Sequence, residues 1–213
     1  MPEDWLTATR SSYDVDAAGY ADVVRGLLEG SAHLRASLRL FADLVRDAGD
    51  GPVADVGCGP GHVTRHLQDL GIDAFGIDLS PEMVALGRRD YPTLRFEVGS
   101  MTDLHLADSS LGGLLAYWSV IHIPDDALPG VFAQFHRVLR PGGPLLVGFH
   151  VGEGSQHTAE GYSGRAIDVD SHRRRPTEVA DRLREAGFVI DALWEMRPDD
   201  EVPGAIVFAH HDG

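Results

Sequence analysis

The residues with the most chemical potential lie in one stretch, Val53-Ala54-Asp55-Val56-Gly57-Cys58-Gly59-Pro60-Gly61-His62-Val63-Thr64. An acid sits inside a short apolar run. Glycines follow at alternate positions, and then a helical pattern begins. Glycine lets the backbone turn sharply and leaves bare main chain against which a ligand can lie. The helix that follows offers unpaired N–H groups at its start. A second acid, Asp78, stands 21 positions after Gly57, at the end of the apolar run Ala74–Ile77. An acid there can accept from both hydroxyls of an adenosine ribose. These residues alone leave two readings, a nicotinamide dinucleotide or another adenosine cofactor.

The glycine spacing bears on that choice. A pyrophosphate fingerprint reads G-x-G-x-x-G, whereas this turn reads G-x-G-x-G, followed by His62. The Asp55 carboxylate would repel a pyrophosphate. It suits a cofactor that carries positive charge, directly or through water.

Candidate bases come from the histidines. His122 follows an apolar strand pattern, and imidazole titrates near neutrality. It can serve as a general base or as a hydrogen bonder that orients its loop. His150 ends the next strand pattern and is the second candidate. His62, His66 and His136 fall on helical patterns and are expected to be structural. His157 and His172 are expected in solvent. No close-spaced ligand pair points to a metal, so none is expected. Tyr13 and Tyr20 are seven residues apart, two helical turns, and share one face. Trp118 stands at a strand's carboxyl end, where it would wall a pocket.

The elements that must position these groups alternate. Residues 1–30 suggest one or two short helices, a cap ahead of a main domain over 31–213. Leu34, Leu38, Phe41, Leu44 and Val45 mark an amphipathic helix. Strands are expected at Val53–Val56, Ala74–Ile77, Leu94–Val98, Leu111–Trp118 and Leu145–Phe149. Helices are expected at His62–Leu70, after the Ser80-Pro81 cap, at Asp125–Leu139 and at Thr177–Ala186. Alternating strands and helices imply a parallel sheet covered on both faces. Val189–Glu195 and Ala205–His210 have no helix between them and should form a hairpin, adding one antiparallel strand. The expected fold is a seven-stranded α/β sheet. Residues 151–175 are polar, are expected to be irregular, and are a candidate lid. Arg173-Arg174-Arg175 reads as a solvated lead-in to a helix.

Composition removes other classes. All 18 basic residues are arginine. Without lysine there is no Walker P-loop, no Schiff-base enzyme and no protein kinase. Cys58 is the only cysteine, so no internal disulfide and no cysteine-based zinc site can form. The net charge of −15 is spread along the chain and disfavours a nucleic-acid partner. Neither a signal peptide nor a membrane span is evident, so a cytoplasmic protein is expected.

Taken in order, these segments resemble the class I S-adenosylmethionine-dependent methyltransferases over roughly residues 35–210. The glycine turn resembles the family's first motif, with Asp55, Gly57, Cys58, Gly59, Gly61 and Thr64. Asp78 matches the ribose-binding acid and Leu79 the neighbour that packs on adenine. Phe96-Glu97-Val98-Gly99-Ser100-Met101 matches the strand end flanking the adenine. Tyr117-Trp118-Ser119-Val120-Ile121-His122 matches the segment beside methionine and substrate. Arg137-Val138-Leu139-Arg140-Pro141-Gly142-Gly143 is similar to the turn before the fifth strand. The resemblance implies a Rossmann-like fold and S-adenosylmethionine as cofactor, with S-adenosylhomocysteine as product. It implies methyl transfer to a small-molecule acceptor, at oxygen or nitrogen by preference. It adds Met83, Trp118, Ser119, Tyr13 and Tyr20 to the implied cofactor contacts. Relatives often carry Gly-Asp where this chain has Gly99-Ser100, and Asp103 is the candidate substitute. A nicotinamide-dependent oxidoreductase and a non-catalytic adenosine-nucleotide binder are the alternatives. The Tyr-x-x-x-Lys pair of short-chain dehydrogenases cannot exist here.

Overall fold

The computed structural model describes residues 4–213; the first three residues of the expected cap lie outside the described residues. The strands are β1 (Val53–Val56), β2 (Ala74–Asp78), β3 (Phe96–Val98), β4 (Gly113–Tyr117), β5 (Pro144–His150), β6 (Ser155–Glu160), β7 (Ala166–His172), β8 (Phe188–Met196) and β9 (Gly204–His211). The helices are α1 (Asp4–Val24), α2 (Leu27–Gly30), α3 (Ala32–Asp47), α4 (His62–Asp69), α5 (Pro81–Asp90), α6 (Leu128–Val138) and α7 (Pro176–Glu185). Seven strands form one sheet in the order β3-β2-β1-β4-β5-β9-β8. Only β9 runs against the others, pairing antiparallel with both β5 and β8.

The chain winds outward from β1 to β3 and then returns to β4 on the other side of β1. That reversal opens a crevice at the carboxyl ends of β1 and β4, where ligands of such sheets bind. Strand alternation divides the core. Ala54, Leu114, Ala116, Leu145 and Val147 face Phe132, Phe135, Val179 and Leu183 of α6 and α7. Val53, Leu115, Leu146 and Phe208 face Leu38, Phe41 and Val45 of α3 and Leu67 of α4. All of these residues are almost fully buried, and apolar area removed from water is the main stabilising term.

Local chemistry sets the element ends. Ser80 caps α5 by accepting from Met83 N at 3.1 Å, with Pro81 in the first turn. The helix expected from Asp125 starts at Leu128, because Leu128 N bonds back to Pro124 O in a turn and Pro129 suits a first helical turn. The N-terminal segment is a 21-residue helix kinked at Asp16. Residues 151–175, expected to be irregular, contain the antiparallel hairpin β6–β7 instead. This hairpin packs on α1 rather than joining the main sheet. Among the described residues no helix is long and apolar enough to cross a membrane.

Candidate active site

The carboxyl ends of β1, β2 and β4 open onto a cavity of about 640 Å³ roofed by α1. Its floor is the glycine turn. Gly57 and Gly59 have φ of 76° and 54°, which side chains strongly disfavour. A Cβ on Gly57 would also lie 2.2 Å from Ser119 Cβ, so glycine lets the ends of β1 and β4 close on each other.

Asp78 stands beside this turn. Its Oδ2 accepts from Gly59 N at 2.7 Å and its Oδ1 from Ser80 N at 2.9 Å. Burial pushes its pKa up to about 6 against those bonds. A carboxylate offers about four lone-pair directions, so two amides leave capacity for hydroxyl donors in the cavity. The remaining walls are Leu79 and Met83 on one side, Gly99, Ser100 and Met101 opposite, and Trp118 and Ser119 at the end. The Ser119 hydroxyl donates to Val56 O at 2.7 Å, tying β4 to β1. Ser100 Oγ is paired with the Thr102 hydroxyl at 2.7 Å. Asp103 does not replace it in the cavity, because its exposed carboxylate pairs with His105.

Four of the expected cofactor residues stand behind the wall rather than on it. Asp55 alternates toward α4 and is 1% exposed. Its Oδ2 accepts from the Thr64 hydroxyl at 2.6 Å, while Oδ1 has no partner. Burial pushes this carboxyl up to about 7. Thr64 is thereby committed to Asp55. Cys58 turns its thiol into the small cluster of Val84, Leu94 and Phe96. Gly61 starts α4 with φ 84°, and a Cβ there would meet the Phe96 ring at 2.4 Å. These residues shape the turn from beneath.

The roof supplies Trp5, Leu6 and Thr9 beside Tyr13 and Tyr20. The first three were not among the sequence expectations. Trp5, Thr9 and Tyr13 are spaced four apart, so the helical face marked by the two tyrosines continues toward the N-terminus. Asp14 Oδ1 accepts from the Ser80 hydroxyl at 2.6 Å and anchors α1 to α5.

His122 is where three segments meet. It ends a short 3-10 turn, Val120–His122, after β4. The Tyr13 hydroxyl and His122 Nε2 are 2.7 Å apart, and Nδ1 lies 2.8 Å from Asp170 O of β7. A carbonyl only accepts, so Nδ1 carries the proton and Nε2 accepts from Tyr13. Desolvation pushes the ring down to about 4, so it is neutral at pH 7. His150 does not reach the cofactor cavity. It faces the space beyond Tyr13 and Tyr20, and burial lowers its pKa as well.

Trp118 is held in an uncommon conformation, φ 55°. Its ring lies over Gly148 and Gly204, where a Cβ would approach it to 2.7 and 2.9 Å. The absence of side chains on β5 and β9 therefore makes room for an aromatic pocket wall.

Several contacts join the roof to the hairpin, among them Arg165 donating to Val15 O at 2.8 Å. Asp16 accepts from Tyr162 N at 2.6 Å, from Ser163 N at 3.0 Å and from the Ser163 hydroxyl. Burial opposes its charge, but these bonds outweigh it and hold its pKa below the usual carboxylate value. Ser12 Oγ accepts from Asp168 N at 2.8 Å. A third buried group corrects the sequence reading. Arg174, expected in solvent, is 2% exposed. It donates to Asp125 at 2.8 Å, to Val120 O at 3.1 Å and to Ile123 O, so it holds the loop that carries His122. No periodicity marks one arginine of three as buried.

Among the described residues, His136, His211 and Asp212 are the one group close enough to hold a metal. They lie by the start of β5, at the end of the strands opposite the cavity.

A methyltransferase-domain family model matches residues 53–143, from the glycine turn to the turn before β5. The chain is 36% identical over 173 residues to a demethylmenaquinone methyltransferase of Beutenbergia cavernae, covering 74% of this chain and 71% of that one. It is 32% identical over 120 residues to a malonyl-[acyl-carrier protein] O-methyltransferase of Pectobacterium atrosepticum, covering 49% and 45%. The chain spans about half or less of the length of several curated relatives it matches. The fold is similar to a 1,6-didemethyltoxoflavin-N1-methyltransferase of Burkholderia thailandensis, with TM-score 0.73, 21% identity and coverage of 100% and 91%. That extended relationship, laid over a cavity built from the same glycine turn and acid, shows that the chain belongs to the class I S-adenosylmethionine-dependent methyltransferases, whose cofactor is S-adenosylmethionine.

Proposed function

We propose that this protein transfers a methyl group from S-adenosylmethionine to a small-molecule acceptor, at oxygen or nitrogen. The observation that carries the reading is the Asp78 carboxylate, held by two amides at the rim of a glycine-floored cavity with lone pairs to spare.

The residues fit the cofactor. Asp78 would bind the ribose hydroxyls, Leu79, Met83 and Met101 would pack the adenine, and Gly57, Ser119 and Trp118 would flank the methionine end. The Asp55 carboxyl beneath the turn, raised to about 7 by burial, would gain its charge as a cationic ligand approaches and so favour one. The bound cofactor supplies an activated methyl on a good leaving group. The chain's own work is then to align the acceptor, exclude water and receive a proton. The α1 roof excludes water, and residues 1–30 act as a cap on the 31–213 domain. His122 is the proposed base, because its proton sits on Nδ1 and leaves Nε2 as an acceptor. His150 is the second candidate, from the acceptor side. The absence of a basic domain argues for a metabolite rather than nucleic acid as partner, and the cytoplasm supplies the cofactor.

Thermal-shift and calorimetric titration test this reading. S-adenosylhomocysteine should raise the melting temperature and NAD should not. Stabilisation by NAD alone overturns it.

A further inference from the structure

Behind the roof lies a second space that the cofactor cavity does not use. Tyr13, Tyr20 and His122 line the cofactor cavity on one side and this chamber, about 820 Å³, on the other. An outer lobe shares Tyr13, Tyr20 and His150 with it and opens past Val23 and Leu27 to the surface.

The chamber's lining is divided between apolar or aromatic side chains and polar ones, among them Ser12, Thr158, Ser171 and His150. Ile121, Ile167 and Val169 form one wall. Tyr13 meets Tyr20 edge-on at 5.6 Å between ring centres, and Tyr20 meets Tyr162 at 5.9 Å. Aromatic edges and faces in this arrangement favour a flat apolar guest. The charged groups at its margin are engaged or negative. Asp16 is saturated by Tyr162 and Ser163. Arg197, in the outer lobe, is largely exposed and lies 3.8 Å from Asp200. Glu160 is exposed. A carboxylate or phosphate guest would meet negative charge there, and an ammonium would find the Asp16 oxygens already engaged and Glu160 in solvent, so either would lose water without full compensation. Of the polar groups in the lining, the Tyr13 hydroxyl on His122 Nε2 is the pair that also borders the cofactor cavity.

We propose that this chamber takes the methyl acceptor as an uncharged, flat aromatic molecule whose ring hydroxyl meets the Tyr13–His122 pair. The proposal rests on the methyl-transfer reading above. The acceptor's O–H bond breaks and an O–CH3 bond forms. The S–CH3 bond breaks and its electron pair stays on sulfur. The acceptor's proton passes to the Tyr13 oxygen while Tyr13's own proton passes to His122 Nε2. The imidazolium that results keeps its Nδ1–H on Asp170 O. His122 is a weak base, and a weak base is matched by an acidic ring hydroxyl rather than by an aliphatic alcohol.

Three naphthalenes of one shape test the class: 2-naphthol, 2-naphthoate and 2-naphthylmethylamine. Each is titrated into the full chain saturated with S-adenosylhomocysteine, and each is assayed for methyl transfer from S-adenosylmethionine. Only 2-naphthol should gain a methyl, and it should bind about tenfold or more tighter than the carboxylate. Methylation of either charged probe, or a failure of 2-naphthol both to bind and to react, overturns the proposal. In each case a persisting S-adenosylhomocysteine shift leaves the methyl-transfer reading standing, and its loss removes that reading instead. Ile167→Arg locates the site. It should weaken 2-naphthol binding about tenfold or more while the S-adenosylhomocysteine shift remains. Thr158→Trp blocks the same chamber from β6 and gives the same readout if the arginine variant does not fold. Unchanged 2-naphthol binding in a folded variant overturns the location.

Discussion

The floor and the roof of the cofactor cavity are built by different physics. The floor is made of sheet ends tied to one another by short-range bonds. Asp78 accepts from Ser80, two residues away, and from Gly59, on the neighbouring strand end. Ser119 bonds Val56 across adjacent strands. The roof and the hairpin meet through bonds that span most of the chain, Asp16 to Ser163 and Ser12 to Asp168. Buried strands fix the floor whether or not a ligand is present. The roof stays only while its polar contacts and a modest apolar seam of Ala17, Ala21 and Val24 outweigh the entropy of docking a helix and a hairpin. Elements of that kind come from the low-stability end of a protein and are the ones that open for ligands. A closed roof over a finished floor is the arrangement expected where the acceptor and cofactor must enter before water is excluded.

Asp78→Ala should break the floor with the largest effect. It removes a carboxylate that holds two amides and is proposed to bind the ribose. Hydrogen bonds to a charged group are worth about 1.5–3 kcal/mol each, so S-adenosylhomocysteine affinity should fall about 100-fold or more by calorimetry. Folding should respond separately. The pKa of Asp78 is raised to about 6 in the fold. Its contribution to stability is therefore full below its unfolded value near 3.8 and lost as pH rises through about 6. Asp78→Asn should flatten that part of the apo protein's pH–stability curve. A variant that binds S-adenosylhomocysteine normally would remove Asp78 from the site.

The same contrast decides what could be read in advance. The floor was legible because its signals are local: glycines where φ is positive, an acid at a strand end, Ser80-Pro81 at a helix start. Strand alternation also had a cost. Asp55 and Thr64 belong to the motif, yet their side chains pair beneath the turn, because a central strand sends alternate residues to opposite faces. The roof was half legible. Tyr13 and Tyr20 marked a helical face, and extending it by two turns would have reached Trp5 and Thr9. The hairpin was not legible. Gln156, Thr158 and Glu160 read as loop, because β6 pairs only with β7 and stays almost wholly exposed, so it carries no apolar pattern. Asp16, Asp170 O and Arg174 have partners tens of residues away or more, and no spacing rule connects them.

Asp16→Ala tests whether roof and hairpin act as one body. Three hydrogen bonds are lost from a buried carboxylate to a surface turn. A net loss of roughly 1–2 kcal/mol predicts a melting temperature lower by about 4 °C for a chain of this size. The cost to S-adenosylhomocysteine binding should be about tenfold, because the ligand must also order the roof. Hydrogen exchange should rise in residues 5–20 and 155–172 together and leave β1 and β4 unchanged. Because Asp16 has a lowered pKa in the fold, its contribution is present above about pH 4 and lost below it. Exchange that rises in the hairpin alone would mean that the two elements move independently.

Tyr13→Phe makes the smallest change and the sharpest comparison, since it deletes one hydroxyl from the roof and keeps the ring. The ring packing against Tyr20 and His122 remains, at 5.6 and 5.3 Å, so the cost to roof stability is that of one lost hydrogen bond, about 1 kcal/mol, and S-adenosylhomocysteine affinity should move by about fivefold or less. What changes is His122. With its proton on Nδ1, the ring accepts from Tyr13 at Nε2, and that bond favours the neutral form. Removing it should raise the imidazole pKa somewhat from about 4, with desolvation still holding it below the ordinary histidine value. A depressed pKa means that the neutral ring stabilises the fold above about pH 6.5 and that this contribution is lost as pH falls through about 4. Tyr13→Phe should shrink the contribution, and NMR titration of the imidazole reads it without any acceptor. If Tyr13 also relays the proton, turnover should fall about tenfold with little change in cofactor KM. A shifted titration with unchanged turnover would make the Tyr13–His122 bond a device for closing the roof, with the acceptor's proton leaving by another route.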